Sequence, residues 1–194
     1  MQKETLSIAL KEWAVVQRSL IEGHQIVLLR KGGLIEESGD FDLRANRAFI
    51  FPTYEHETER LGDIQPKFAG WLREEEIEKP DVGTLQLSCF VDITDVVAVP
   101  NRDKLLAMSQ QHIWSRQFID GRYEWEPYKP IWALIVRAWV LPEEITVPMQ
   151  KHYGGCKSWI ELDTAVSTKG AWSTWTDEQF DKFRAATLKH LQSD

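Results

Sequence analysis

The chain has 194 residues, 43% hydrophobic and 27% charged, and 30 acids against 23 Lys and Arg give a net charge of −7. This ordinary balance excludes a disordered chain, a collagen-like fibre and a membrane protein, and favours a single globular domain over 1–194. The longest apolar runs, such as 131–136, fall far short of the roughly 20 residues that span a bilayer.

In chain order, Thr5 can cap a first helix, with Leu6, Leu10, Trp13, Val16, Gln17 and Leu20 at helical spacing and Gly23 as its stop. The apolar run 24–29 predicts a buried strand ending in the basic glycine turn Arg30-Lys31-Gly32-Gly33. Residues 34–47 are polar and predict a loop or ragged hairpin, and 48–51 a second strand stopped by Pro52. Thr53 is a candidate cap for a helix over 53–60, broken by Gly62 and Pro66. Phe68, Trp71 and Leu72 suggest a further helical turn. Residues 80–83 predict a turn. Leu85, Leu87, Cys89, Val91 and Ile93 alternate with Gln86, Ser88, Asp92 and Thr94, so 84–99 predicts a strand wet on one face, as in an antiparallel sheet.

Asn101 is a good helix cap, and the apolar stripe of Leu105, Met108 and His112 follows it, in a region closed by Gly121. Residues 131–141 are apolar on both faces except for Arg137 and predict a central strand. Pro142 and Pro148 bracket a short segment, and 158–162 predict a last strand. Thr176 with Gln179 forms a capping box opening a final helix with Phe180, Phe183, Leu188 and Leu191 as its stripe, and Trp175 and Phe180 at the staple positions. The order predicts an α+β fold: a mainly antiparallel sheet or small open barrel flanked by three to four helices.

Charge and aromatics are unevenly placed. Residues 55–81 hold nine acids against four bases, which predicts a solvated acidic surface, while 102–137 hold six bases against four acids. Nine tryptophans stand out; most large aromatics fill cores, and the remainder can stack on planar ligands. Two cysteines, Cys89 and Cys156, make no disulfide framework, and with no signal-type apolar stretch they predict a reduced, cytoplasmic protein with Cys89 in the core.

The chain lacks G-x-G-x-x-G, P-loop, G-x-S-x-G, C-x-x-C and H-E-x-x-H motifs, and none of its twelve lysines follows an acid by two positions, as a restriction-type nuclease site would require. No catalytic residue, metal or cofactor is therefore expected. Three binding elements stand out. Arg30 and Lys31 with Gly32 and Gly33 can cradle a phosphate. Tyr153, Lys157 and Trp159 flank Gly154-Gly155, where bare backbone can approach a ligand. Tyr123, Trp125 and Tyr128 surround Arg122 and Lys129, diluted by Glu124 and Glu126. Tyr54 is a stacking candidate. His56, between Glu55 and Glu57, offers acid–base or metal chemistry, and His112 reads as a core histidine.

The opening blocks Ala9-Leu-Lys-Glu-Trp-Ala14 and Ile26-Val-Leu-Leu-Arg-Lys-Gly-Gly33, with Phe51-Pro-Thr-Tyr-Glu-His56 and Gly155-Cys-Lys-Ser-Trp-Ile-Glu161, resemble an uncharacterised bacterial family, domain of unknown function number eighteen-oh-two. The resemblance covers nearly the whole chain. It implies no catalytic residues. Some relatives occur with Mrr-type restriction nuclease regions, which implies a restriction–modification association.

The expected function is a non-catalytic nucleic-acid recognition module. Its site residues are Arg30, Lys31, Gly32, Gly33, Tyr54, His56, Tyr153, Lys157 and Trp159. The rivals are a structural subunit that binds a protein partner or its own copy, and an enzyme using Glu55, His56 and Glu161. No membrane partner is expected.

Overall fold

A computed structural model describes residues 4–31, 43–54, 58–155 and 157–192. The fold is α+β, as the element pattern predicts: the described residues form one open seven-stranded sheet, mostly antiparallel, with five helices rather than three to four. The strands are β1 (Thr5–Trp13), β2 (Val27–Lys31), β3 (Arg47–Thr53), β4 (Thr84–Ala98), β5 (Ile131–Pro148), β6 (Trp159–Ser167) and β7 (Trp172–Ser173). The helices are α1 (Ala14–Ile21), α2 (Ala69–Glu78), α3 (Arg102–Ala107), α4 (Arg116–Glu124) and α5 (Asp177–Gln192). Strand order is β2-β5-β4-β3-β1-β6, and β7 pairs with β5 beyond the stretch that β2 occupies. The β1–β3 pair is parallel.

The first helix predicted from Thr5 is instead β1 followed by α1. Leu6 and Leu10 satisfy a helical spacing, but Ala9 and Leu10 are both fully buried on opposite faces of a strand held by β3 and β6. Sheet neighbours override a local pattern of this length. The helix begins only at Ala14, and Gly23, at φ +72°, follows its end in the left-handed conformation glycine favours. Pro52 does not stop β3, which continues to Thr53; the Thr53 hydroxyl donates to the Glu12 carbonyl and caps no helix. A 3₁₀ segment, Thr58–Asp63, follows.

Asn101 does cap α3, its side chain accepting from the Lys104 amide at 3.0 Å. The stripe continuing to His112 is not one helix: α3 ends at Ala107, and Gly121 lies within α4 rather than closing the region. β5 runs through Pro142 to Pro148, and β6 is longer than the predicted 158–162. The capping box of α5 is present in both directions, Thr176 amide to Gln179 and Gln179 amide to Thr176.

The sheet carries a core on each face. Ile50, Val91, Ile135 and Leu134 pack under the helices with Leu20, Leu72, Leu105, Ile119 and Phe180. Phe49, Phe51, Leu87, Phe90, Leu141, Tyr153 and Ile160 form the second cluster. Irregularities in the β4–β5 register at 87/89 and 93/95 switch which residues face each core. Cys89 is free and fully buried, and burial pushes its thiol pKa up. His112 is a core histidine, 1% exposed, with Nε2 3.1 Å from the Leu105 carbonyl.

Candidate functional site

An open cleft, about 570 Å³, lies between the 3₁₀ segment and α4 and is lined by Arg60, Asp63, Gln117, Phe118, Arg122 and Trp125, with Gly62 and Gly121. Its walls are tied together. Ser115 caps α4 by accepting from the Phe118 amide, and its hydroxyl donates to the Gly62 carbonyl at 2.6 Å. Gln65 Nε2 donates to the carbonyls of Ser109, His112 and Trp114, anchoring the chain after the 3₁₀ segment. Gly62 faces the amide end of the Gln117 side chain across the cleft, where an added Cβ would come within 2.9 Å of Oε1 and push that flexible end aside.

Phe118 stacks on Trp114 at 3.9 Å between centroids, and Trp13 meets Trp114 edge-on at 5.2 Å. The Arg122 guanidinium lies 5.0 Å from the Phe118 ring and 5.9 Å from Trp125. Such placements attract a cation to the ring quadrupole without consuming its hydrogen-bond donors. Among the described residues, no carboxylate forms an ion pair with Arg122. Burial and the neighbouring Arg30 charge depress its pKa, partly offset by Glu12 and Asp63. Trp125 is 50% exposed at the rim. The cleft therefore presents a guanidinium whose donors are unused among the described residues, beside an accessible indole.

The two predicted bases at the end of β2 lie behind this cleft. Arg30 pairs with Glu12 at 2.5 Å, a charge contact rather than an aligned hydrogen bond, and donates to the Lys11 carbonyl at 2.7 Å. Lys31 is buried and donates to the carbonyls of Arg122 and Tyr123, where the last turn of α4 favours a cation. Burial and Arg122 depress the Lys31 pKa, and Glu126 raises it. Both side chains thus brace the strand end and α4.

The remaining predicted residues are scattered. Tyr153 is buried in the second core, and its hydroxyl accepts from the Asp163 amide. Lys157 is exposed and donates to the His152 carbonyl. Trp159 is buried against the helix-side core. Tyr54 lines a different, acidic cleft. Gly32, Gly33, Glu55 and His56 lie outside the described residues, and Glu161 is exposed on β6. The element that gathers into a cleft is the Arg122–Trp125 stretch. Its sequence signal was a cation bracketed by aromatics; Arg60 and Phe118, from separate elements, carried no local signal.

The chain belongs to the family described as a domain of unknown function (DUF1802), whose pattern matches residues 9–186. No match was found among curated proteins. Among solved structures it is similar to ZmASCH of Zymomonas mobilis. A tyrosine-to-phenylalanine variant aligns at 12% identity and TM-score 0.45, covering 92% of this chain and 96% of that one. A serine-to-alanine variant gives 11% and 0.43, with 92% and 94% covered. ASCH from the same organism gives 10% and 0.40, with 75% and 88% covered. Among the described residues, no helix is long and apolar enough to cross a membrane.

Proposed function

We propose that this protein is a nucleic-acid recognition module, accessory to a restriction–modification system, that grips a phosphate with Arg122 and Arg60 and stacks a base on Trp125. The carrying observation is Arg122: a guanidinium without a carboxylate ion pair among the described residues, at an open cleft, beside a half-exposed indole. A guanidinium recognises phosphate through paired donors, and base–aromatic stacking adds affinity without demanding sequence. Arg30 and Lys31 contribute field rather than contact, since Arg30 is held by Glu12 and the Lys11 carbonyl and Lys31 is buried against the end of α4.

The test is a tryptophan-fluorescence titration with single-stranded DNA, duplex DNA and structured RNA at low and higher salt. Saturable quenching by one of them, weakening steeply with salt, is expected. Arg122→Gln should weaken binding at least tenfold and lower the salt slope by about one phosphate contact. Trp125→Ala should remove much of the quenching, whereas Arg116→Gln, on the same helix but outside the cleft, should change little. Binding that ignores salt, or that survives both cleft substitutions intact, would sink the proposal.

A further inference from the structure

The cleft at α4 holds an acid that phosphate binding and stacking leave unused. Asp63 is the acid among its lining residues, and its side chain is 17% exposed, so it is shielded from bulk water without being sealed. Arg60 approaches it to 4.0 Å, too far for a hydrogen bond, and among the described residues no donor reaches the carboxylate. Burial raises its pKa, and the charges of Arg60 and Arg122 oppose that. The carboxylate therefore sits in the field of both cleft guanidiniums with its acceptors spare.

Backbone contacts fix its place. The Asp63 carbonyl accepts from the Ser115 amide at 2.8 Å, and the Gly62 carbonyl takes the Ser115 hydroxyl. Ile64 bridges to Trp114, and the Gln65 amide donates to the Ile113 carbonyl at 2.8 Å. The segment carrying Asp63 is thus tied along 113–115, which leads straight into the helix of Phe118 and Arg122. An acceptor held this way costs little to order when a ligand arrives.

A carboxylate only accepts, through two oxygens side by side. A base stacked on Trp125 and facing Asp63 must offer donors. Among the common bases, the Watson–Crick edge of guanine presents two adjacent donors, N1–H and the N2 amine. Adenine and cytosine set a ring-nitrogen acceptor beside their amine, and thymine and uracil flank N3–H with two carbonyls, so each turns a lone pair toward the carboxylate. Pairing in a duplex consumes the guanine donors, so the match requires an unpaired base.

We propose that Asp63 makes this cleft selective for an unpaired guanine, its two oxygens accepting from N1–H and the N2 amine of a base stacked on Trp125. The proposal rests on the nucleic-acid reading of the same cleft and adds base identity to it. The experiment is fluorescence anisotropy of the full chain with labelled single-stranded pentathymidylate and its variants carrying guanine, adenine, cytosine or hypoxanthine at the centre, in a DNA series and a uridine-based RNA series. The guanine variant should bind about tenfold tighter than the thymine, adenine and cytosine ones. Hypoxanthine, which is guanine without its N2 amine, should lose most of that advantage, and so should guanine locked in a hairpin stem. Asp63→Asn should bring the guanine variant down to the level of the adenine one. Pentathymidylate should bind Asp63→Asn as well or better, because an acid has been removed beside a polyanion; a merely structural role would weaken all five alike. Asp181→Asn, an exposed acid of α5 outside the cleft, should keep the preference. Equal affinity for all five, or a guanine preference that survives Asp63→Asn, would overturn the assignment while leaving the nucleic-acid reading in place. Failure of every pentanucleotide to bind would overturn both.

Discussion

At Glu12, burial and pairing pull in opposite directions. It is 6% exposed, and burial raises its pKa above the ordinary 4.5 while Arg30, Arg122 and the Trp13 amide pull it down. The net direction is upward, so its folded form binds a proton more tightly than its unfolded form. That contribution is present below pH 4.5 and is lost as pH rises through the higher folded value. Wild type should therefore lose stability over this range relative to Glu12→Gln, measured by urea denaturation at a series of pH values. A difference that stays flat would show that Glu12 titrates normally. Cys89 gives a second residue-scale expectation. Its buried thiol, with a raised pKa, should resist iodoacetamide in the native protein and react only on unfolding, as read by peptide mass mapping. Both expectations bear on how far the residues were legible. Cys89 and His112 declared themselves as core by their apolar company. The fates of Arg30 and Lys31 were hidden, because the groups that engage them, Glu12 and the end of α4, are distant in sequence.

At the level of elements, α2 and α5 show how helices of mixed surface are held. Only Leu72 of α2 is buried, and it is fully so. Leu72→Ala should cost about 2–5 kcal/mol, because it removes the fully buried side chain of α2 and leaves a cavity under the helix. Thermal or urea unfolding reads that cost; a loss well under 1 kcal/mol would mean that α2 is held by the pairs Arg18 makes with Glu74 and Glu75 instead. α5 is pinned to β4 by Arg184, which donates twice to Asp95 at 2.6 Å. Burial alone would raise the Asp95 pKa, but the bonds from Arg184 and Thr94 outweigh it and hold the carboxyl below 3.8. Its contribution is present above pH 3.8 and is lost as pH falls through the lower folded value. Asp95→Asn should cost about 1 kcal/mol at neutral pH, since the arginine is partly exposed, and little in strong acid. Strands β4 and β5 and the start of α5 were legible because alternation, a double-sided apolar run and a capping box are local. The first element misled because a strand buried on both faces shows no clean period, and Leu6, Leu10 and Trp13 fall at helical spacing by coincidence.

For the whole molecule, charge is divided between clefts: guanidinium and indole at α4, carboxylates at α1 and α2. A net charge of −7 concealed that division, and only the acidic excess over 55–81 hinted at it. Of the nine tryptophans, Trp125 and Trp172 are the ones at least half exposed, so most of the aromatic excess serves packing.

The position of β1 also governs the order in which the protein can be completed during synthesis. The opening strand is interior: it takes β3 on one side and β6 on the other, pairing Thr5 with Ser167 and Leu10 with Trp159. As the chain leaves the ribosome, β3 can join β1 early, but the other row of β1 backbone groups waits until β6 emerges. A nascent chain paused before Trp159 therefore carries an open, apolar strand edge that can pair with another such chain. Slow translation ahead of β6 should raise aggregation of nascent chains, and the finished protein should fold slowly because this pairing joins residues as distant as Thr5 and Ser167.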